Sequence, residues 1–480
     1  MGDVSVSRKE TIRLRQMEMS LVRARLAQPT AIAEADYQCL RYLLNFAGLD
    51  VFAPGAALGE GGWEDVRVDA SIVQSLRELV LRALYRPLRR GGDRRQRLTE
   101  SVSVLPPLRT ALLKAHGQLL ARHKDDFSAA ELEAEICRKT LVLAAGGGGG
   151  AGYVYIGALA RLLDVGHGPG YLVGTSIGAL LGGFFARDAE PDAAGLLAWA
   201  KTLRVHDIFA TLKLAPTYSL PGLLRLHLQG FEEQFRYPDG SPMRLSDAAI
   251  PYETVIGGLR RSMYERIPAP LRRLEAPERR KRRFSVQVAE RMVQLTLYAT
   301  PQLVKGIPLG RDPATRDIRM LDAIGISAAI PGVLQYEPPD RDEISDASLQ
   351  ALKREHELAA LMDGGVVDNV PARTAWEGVQ GGRIGTRNAF YLAFDCFHPQ
   401  FDPRHAWLWP VTGVVQMQLP ANRPYHDWLL RFEPTLSPIN LLPDEADFDR
   451  SWAWGQAQMD AILPFVEAAM APIQYRPGQE

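Results

Sequence analysis

Ser176 stands in Val173-Gly174-Thr175-Ser176-Ile177-Gly178, a G-x-S-x-G set between an apolar run and an Ala/Gly/Leu-rich stretch. A serine hydroxyl attacks a carbonyl only when it is positioned and relieved of its proton. Gly174 and Gly178 permit the tight strand-to-helix turn that lifts such a side chain above a sheet, and the helix that follows points its positive end at it. Upstream, the apolar run Leu141–Ala145 breaks into five glycines, Gly146–Gly150, and resumes through Ala151-Gly152. Main-chain N–H groups of such a loop suit a developing oxyanion, for which one lost donor typically costs about 2.7–4 kcal/mol. A nucleophile beside amide donors is the equipment of acyl transfer. Asp363 ends a third apolar segment and precedes Gly364 and Gly365. Alone, Asp-Gly is a common turn former.

Other chemistries fit these residues less well. Gly147–Gly152 also reads as G-x-G-x-x-G, but a dinucleotide site wants a carboxylate at the end of the next strand, which here ends Gly174-Thr175-Ser176. A Walker loop would need Gly-Lys-Ser/Thr, which is missing. A Ser–Asp–His triad remains open, because His398, His405 and His426 follow Asp363 in the order used by α/β-hydrolases.

The elements that must hold these residues change character near residue 140. Before it, the chain reads as helical. Ser7 with Glu10 and Ser128 with Glu131 have the spacing of capping boxes, and Thr30 after Pro29 opens a helix that Gly48 closes. Ile72, Val73, Leu76, Leu79, Val80, Ala83 and Leu84 repeat at helical spacing, with Arg77 and Arg82 on the other face. Beyond Thr140, strand-like runs at Leu141–Ala145, Leu172–Gly174, Tyr252–Gly258, Met292–Tyr298 and Ala389–Asp395 alternate with helical stretches. The pattern predicts an α/β layer structure with a mostly parallel sheet. Arg260–Arg283 and Asp340–His356 read as polar surface excursions, and the chain after Cys396 shows weak periodicity and many tryptophans.

With Asp363-Gly364-Gly365 as a third block, the chain resembles the patatin-like phospholipase family, which combines a glycine loop, G-x-S-x-G and D-G-G/A in this order. Ile326-Ser327-Ala328-Ala329-Ile330-Pro331 is similar to that family's A-S-x-A-x-P segment, and Asn369 and Pro371 match its continuation after D-G-G. The resemblance implies a three-layer α/β/α core and a Ser–Asp dyad without histidine. In it Ser176 attacks an ester carbonyl, Asp363 takes the proton, and the amides of Gly147, Gly148 and Gly149 hold the oxyanion. It also implies a lipid substrate at a membrane or micelle surface: phospholipid or lysophospholipid, with acylglycerol as the near alternative. A lipid-binding pseudoenzyme of the same fold is the reading from another class. Gly152, Gly174, Gly178, Gly364 and Gly365 support the motifs. One departure stands out: Ala151 occupies a position that is commonly Lys or Arg in the family. Asp368 reads as a surface turn residue. The resemblance divides the chain into a helical region 1–138, a catalytic domain 139–396 with a basic insertion at 260–283, and an extension 397–480.

Bulk properties exclude little. The 480 residues carry 56 basic and 56 acidic side chains, so net charge argues for no polyanion partner, and no nucleic acid is expected. Charge is nonetheless clustered, and Arg279, Arg280, Lys281, Arg282 and Arg283 form a candidate contact for anionic membranes, where each cation is worth about 1 kcal/mol. Three cysteines without metal-like spacing suit a reducing compartment, and the expected setting is cytoplasmic with peripheral membrane contact. No cofactor or metal is expected. The uncharged stretch 141–160 has the length of a membrane span, but glycines inside a helix cost about 0.5–1 kcal/mol each relative to alanine, which favours a buried strand, turn and helix.

Overall fold

Buried apolar runs build one seven-stranded sheet, and its register is what places the candidate site. The structure is a computed structural model that describes residues 2–61, 64–90, 92–210, 216–265, 304–331, 333–338, 340–398, 415 and 417–478. The candidate cations Arg279–Arg283, the strand expected at Met292–Tyr298, His405, Trp407 and Trp409 lie outside the described residues. By contacts the chain divides into two units, one of residues 1–141, 377–390 and 461–480, the other of 142–376 and 391–460.

The first unit is helical: α1 (Gly2–Ala27), α2 (Glu34–Phe46), α3 (Ala70–Tyr85), α4 (Arg94–Ser103), α5 (Leu105–Arg122) and α6 (Ala129–Cys137), with a further helix at Leu463–Met470. The Ser128–Glu131 capping box forms at α6, closed from both sides. No helix begins at Ser7, because α1 is already under way at Gly2. Nor does Thr30 open a helix; α2 begins at Glu34, after Ala33. Arg77 departs furthest from its expected solvent face. It is buried and donates to the carbonyls of Ala47 (2.7 Å) and Leu49 (2.7 Å), which satisfies the loop after α2. A second buried cation, Lys139, bridges Glu18 (2.9 Å), Asn45 (2.7 Å) and Asn388 (2.6 Å), while Arg41 holds Glu18 and the carbonyls of Ala469 and Ala471. Every charge in that cluster is paired, which is the condition for burying it.

The second unit carries the sheet: β1 (Thr140–Ala145), β2 (Tyr171–Gly174), β3 (Tyr252–Arg260), β4 (Val304–Leu309), β5 (Leu358–Asp363), β6 (Ala389–Asp395) and β7 (Trp428–Arg431). β1 pairs with β2, β2 with β3, and β6 with β7, all parallel; β4 and β5 run antiparallel to β3. Helices α7 (Val154–Asp164), α8 (Ile177–Arg187), α9 (Met320–Ser327) and α10 (Glu445–Asp460) complete a three-layer α/β/α core: the alternating pattern predicts its α/β layers, and the family resemblance implies the three-layer arrangement. Several elements, β4 among them, lie outside the runs that the sequence marks. β7 and α10 fall where periodicity is weak, and the polar excursion at Asp340–His356 contains a helix at Glu343–Glu355, capped by Asp342. No helix among the described residues is long and apolar enough to cross a membrane.

Candidate active site

β2 is buried along its whole length and ends at Gly174; two residues later the chain turns into α8. Ser176 occupies the turn with φ 55° and ψ −122°, one of three non-glycine residues with positive φ among those described. Such a conformation costs on the order of 1–3 kcal/mol and persists only where its surroundings impose it. Here they do. A β-carbon at Gly174 would lie 2.4 Å from the Gly178 carbonyl, and one at Gly178 would lie 2.2 Å from the Ala145 carbonyl, so only glycine lets strand and helix close this tightly. The Thr175 amide donates to Ala145 and its hydroxyl to the Asp368 carbonyl. The Ser176 amide donates to Ser327 Oγ at 2.9 Å.

Register along β3 brings Asp363 to this turn. Thr254 pairs with Gly174 on one side and Leu309 on the other; Ile256 pairs with Asp363 and Ile307. β2 and β5 therefore share one edge of β3 and point at each other tip to tip, two residues apart, or about 7 Å at the usual rise. In the gap lies the carbonyl of Val255, which accepts a 2.6 Å hydrogen bond from Ser327 Oγ. Two residues on, the Ala329 carbonyl accepts from the Asp363 amide at 2.9 Å. The segment 327–329 thus grips the main chain of both residues at once.

The side chains meet as well. Ser176 lies close enough to Asp363 for its hydroxyl to favour the ionised carboxyl, and Asp363 Oδ1 accepts from the Gly365 amide at 2.6 Å. Both residues are nearly sealed, with 5% and 7% of their surface exposed. Burial pushes the Asp363 carboxyl up to about 7, against the downward pull of the Gly365 amide and the Ser176 hydroxyl. A carboxylate poised near neutrality beside a serine hydroxyl is suited to take that serine's proton. His398 instead sends Nε2 to the Phe432 carbonyl, and no histidine among the described residues hydrogen-bonds Ser176 or Asp363.

The glycine loop lies against the nucleophile: a β-carbon on Gly147 would be 3.1 Å from Ser176 Cβ. Its amides are not equivalent. Gly147 donates to the Asn369 carbonyl at 3.0 Å, so its N–H is already engaged, contrary to the expectation of three free donors. Gly148 and Gly149 have no acceptor among the described residues, whereas Gly150 donates to the Pro438 carbonyl at 3.0 Å. Ala151 is fully buried in the short helical turn Gly149–Tyr153. The loop is anchored by main chain instead of a basic side chain there. Asn440 and Pro438 carbonyls would be 2.1 and 2.3 Å from β-carbons on Gly150 and Gly149, and the Tyr153 hydroxyl donates to the Leu441 carbonyl.

Asp368 is no surface turn residue. It is half-buried, and its carboxylate accepts from the Thr374 hydroxyl and the Asn422 amide. Gln418 makes a clamp that the sequence reading does not contain: its Oε1 accepts from the Asn369 amide, and its Nε2 donates to Gly365 and Val366. Nothing in its weakly patterned surroundings marks it; Ser327, by contrast, sits inside a recognisable block.

Residues 143–376 match the family model described as Patatin-like phospholipase. No curated protein matches the chain.

Proposed function

Because residues 143–376 belong to the patatin-like phospholipase family, we propose that this chain is a lipid acyl hydrolase that cleaves carboxylic esters of phospholipids or lysophospholipids through Ser176 and Asp363. The observation that carries the reading is the placement of these two buried side chains beside each other where two strand tips meet.

Asp363 removes the hydroxyl proton as Ser176 Oγ attacks the ester carbonyl. The carbonyl oxygen gains the charge and is held by the Gly148 and Gly149 amides, helped by the positive end of α8. Collapse breaks the ester C–O bond, and Asp363 returns its proton to the departing alcohol oxygen. Water then attacks the acyl-serine, losing its proton to Asp363; the acyl C–O bond to Ser176 breaks, Asp363 returns that proton to Ser176 Oγ, and the fatty acid leaves.

Ser176→Ala should abolish both phospholipid hydrolysis and fluorophosphonate labelling. Asp363→Asn should lower hydrolysis by about 10³-fold or more while leaving the fold intact by circular dichroism. A wild-type protein that resists labelling and is inert on phospholipid, lysophospholipid and acylglycerol alike would end the proposal.

A further inference from the structure

The helical unit carries a second feature that the hydrolase chemistry does not use. A groove of about 400 Å³ on this unit is lined by Arg13, Leu81, Arg82, Tyr85 and Arg86. Arg13 comes from α1; Arg82 and Arg86 lie four residues apart, one helical turn, so they share a face. All three arginines are exposed, and none forms an ion pair among the described residues. The nearest carboxylate along α3, Glu78, accepts from Gln74 instead. Lys9, a turn before Arg13, and Arg89, Arg94 and Arg95, just past α3, are likewise exposed and without ion pairs. In a chain of zero formal net charge this is a local accumulation. Elsewhere the same unit neutralises its cations closely, as Arg41 and Lys139 show.

We propose that this groove docks the protein on anionic phospholipid surfaces. Guanidinium forks match phosphate oxygens, and the floor of Leu81 and Tyr85, over which Arg13 sits 6.0 Å from the ring centroid, offers apolar and aromatic surface to the glycerol region behind the phosphate. The choice of a lipid over another polyanion rests on the lipid reading of the catalytic unit.

Vesicle flotation of the full chain carrying Ser176→Ala, which leaves the vesicles undigested, tests the idea. The protein should bind mixed phosphatidylcholine–phosphatidylglycerol vesicles, bind pure phosphatidylcholine poorly, and be released by high salt. Adding Arg13→Gln, Arg82→Gln and Arg86→Gln together should weaken binding about a hundredfold, at about fivefold per arginine. In the Ser176-intact protein the same triple change should leave short-chain ester hydrolysis unaltered. Arg82→Glu alone, at an exposed position, should weaken binding about tenfold or more, and keeps the test valid if the triple variant misfolds. Undiminished flotation of the variants, absence of binding by the parent, or preference for heparin over anionic vesicles would overturn the proposal. Flotation is read without turnover, so an inert enzyme that still floats would count against the catalytic reading and not against this one.

Discussion

Asp363 is held in its neutral form to about pH 7 by burial, and two measurements follow from that. As general base it must be ionised, so kcat/KM should fall tenfold per pH unit below about 7 and level off above it. Stability should run the other way. Between the ordinary carboxylate value of 3.8 and about 7, the folded protein keeps a proton that the unfolded chain has released. Folding is therefore penalised as pH rises through this window, by up to an order of 4 kcal/mol. Asp363→Asn should remove the penalty, and urea unfolding at pH 5 and pH 8 should show the variant gaining on wild type at both, with the larger gain at pH 8. Ser327 is the residue through which the turn is held. Ser327→Ala leaves the Ser176 amide and the Val255 carbonyl without their partner, a loss of about 1–3 kcal/mol. We expect kcat to fall about tenfold to a hundredfold with KM little changed, because substrate contacts remain while the nucleophile is misplaced.

Elements that bury a regular pattern were legible in the sequence. β1, β2, β3 and β6 lie where apolar runs place them, and the turn at Ser176 has the strand before it and the helix after it that its glycines require. The partnership of Ser176 with Asp363 was legible only through a family resemblance, because it depends on β2 and β5 sharing an edge of β3, and pairing between distant strands leaves no local mark. The same holds for the Gly147 amide. Its acceptor, Asn369, lies more than two hundred residues away. Helix packing hides similarly. α7 and α10 cross at Gly157 and Gly455, where β-carbons would lie 2.1 Å from the Trp452 and Val154 carbonyls respectively. Gly157→Ala or Gly455→Ala should each destabilise the protein by about 1–3 kcal/mol, read as a lowered urea midpoint with unchanged slope.

For the molecule as a whole, the family resemblance implies a catalytic domain that stops at 396 and an extension after it. By contacts, residues 391–460 belong with 142–376, and 461–480 belong with the helical unit. β7 continues the sheet beside β6, and Pro438 and Asn440 hold the glycine loop. A chain cut after Cys396 should therefore be insoluble or fail to label with fluorophosphonate, whereas an independent extension would leave both properties intact. The tail leaves a weak sequence signal for a physical reason: β7 is short and half-exposed, and α10 presents glycine and serine where a longer apolar stripe would announce a helix. The tip-to-tip arrangement of β2 and β5 has one more consequence. The two proposed reacting groups stand at the tips of strands that share one edge of β3, so the interval between them is counted in main-chain steps of β3 and not in side-chain reach. Thr254-Val255-Ile256, which supplies no reacting group, acts as the ruler of the enzyme. One residue added or lost there would change the interval by about 3.3 Å and turn one tip to the opposite face of the pleat.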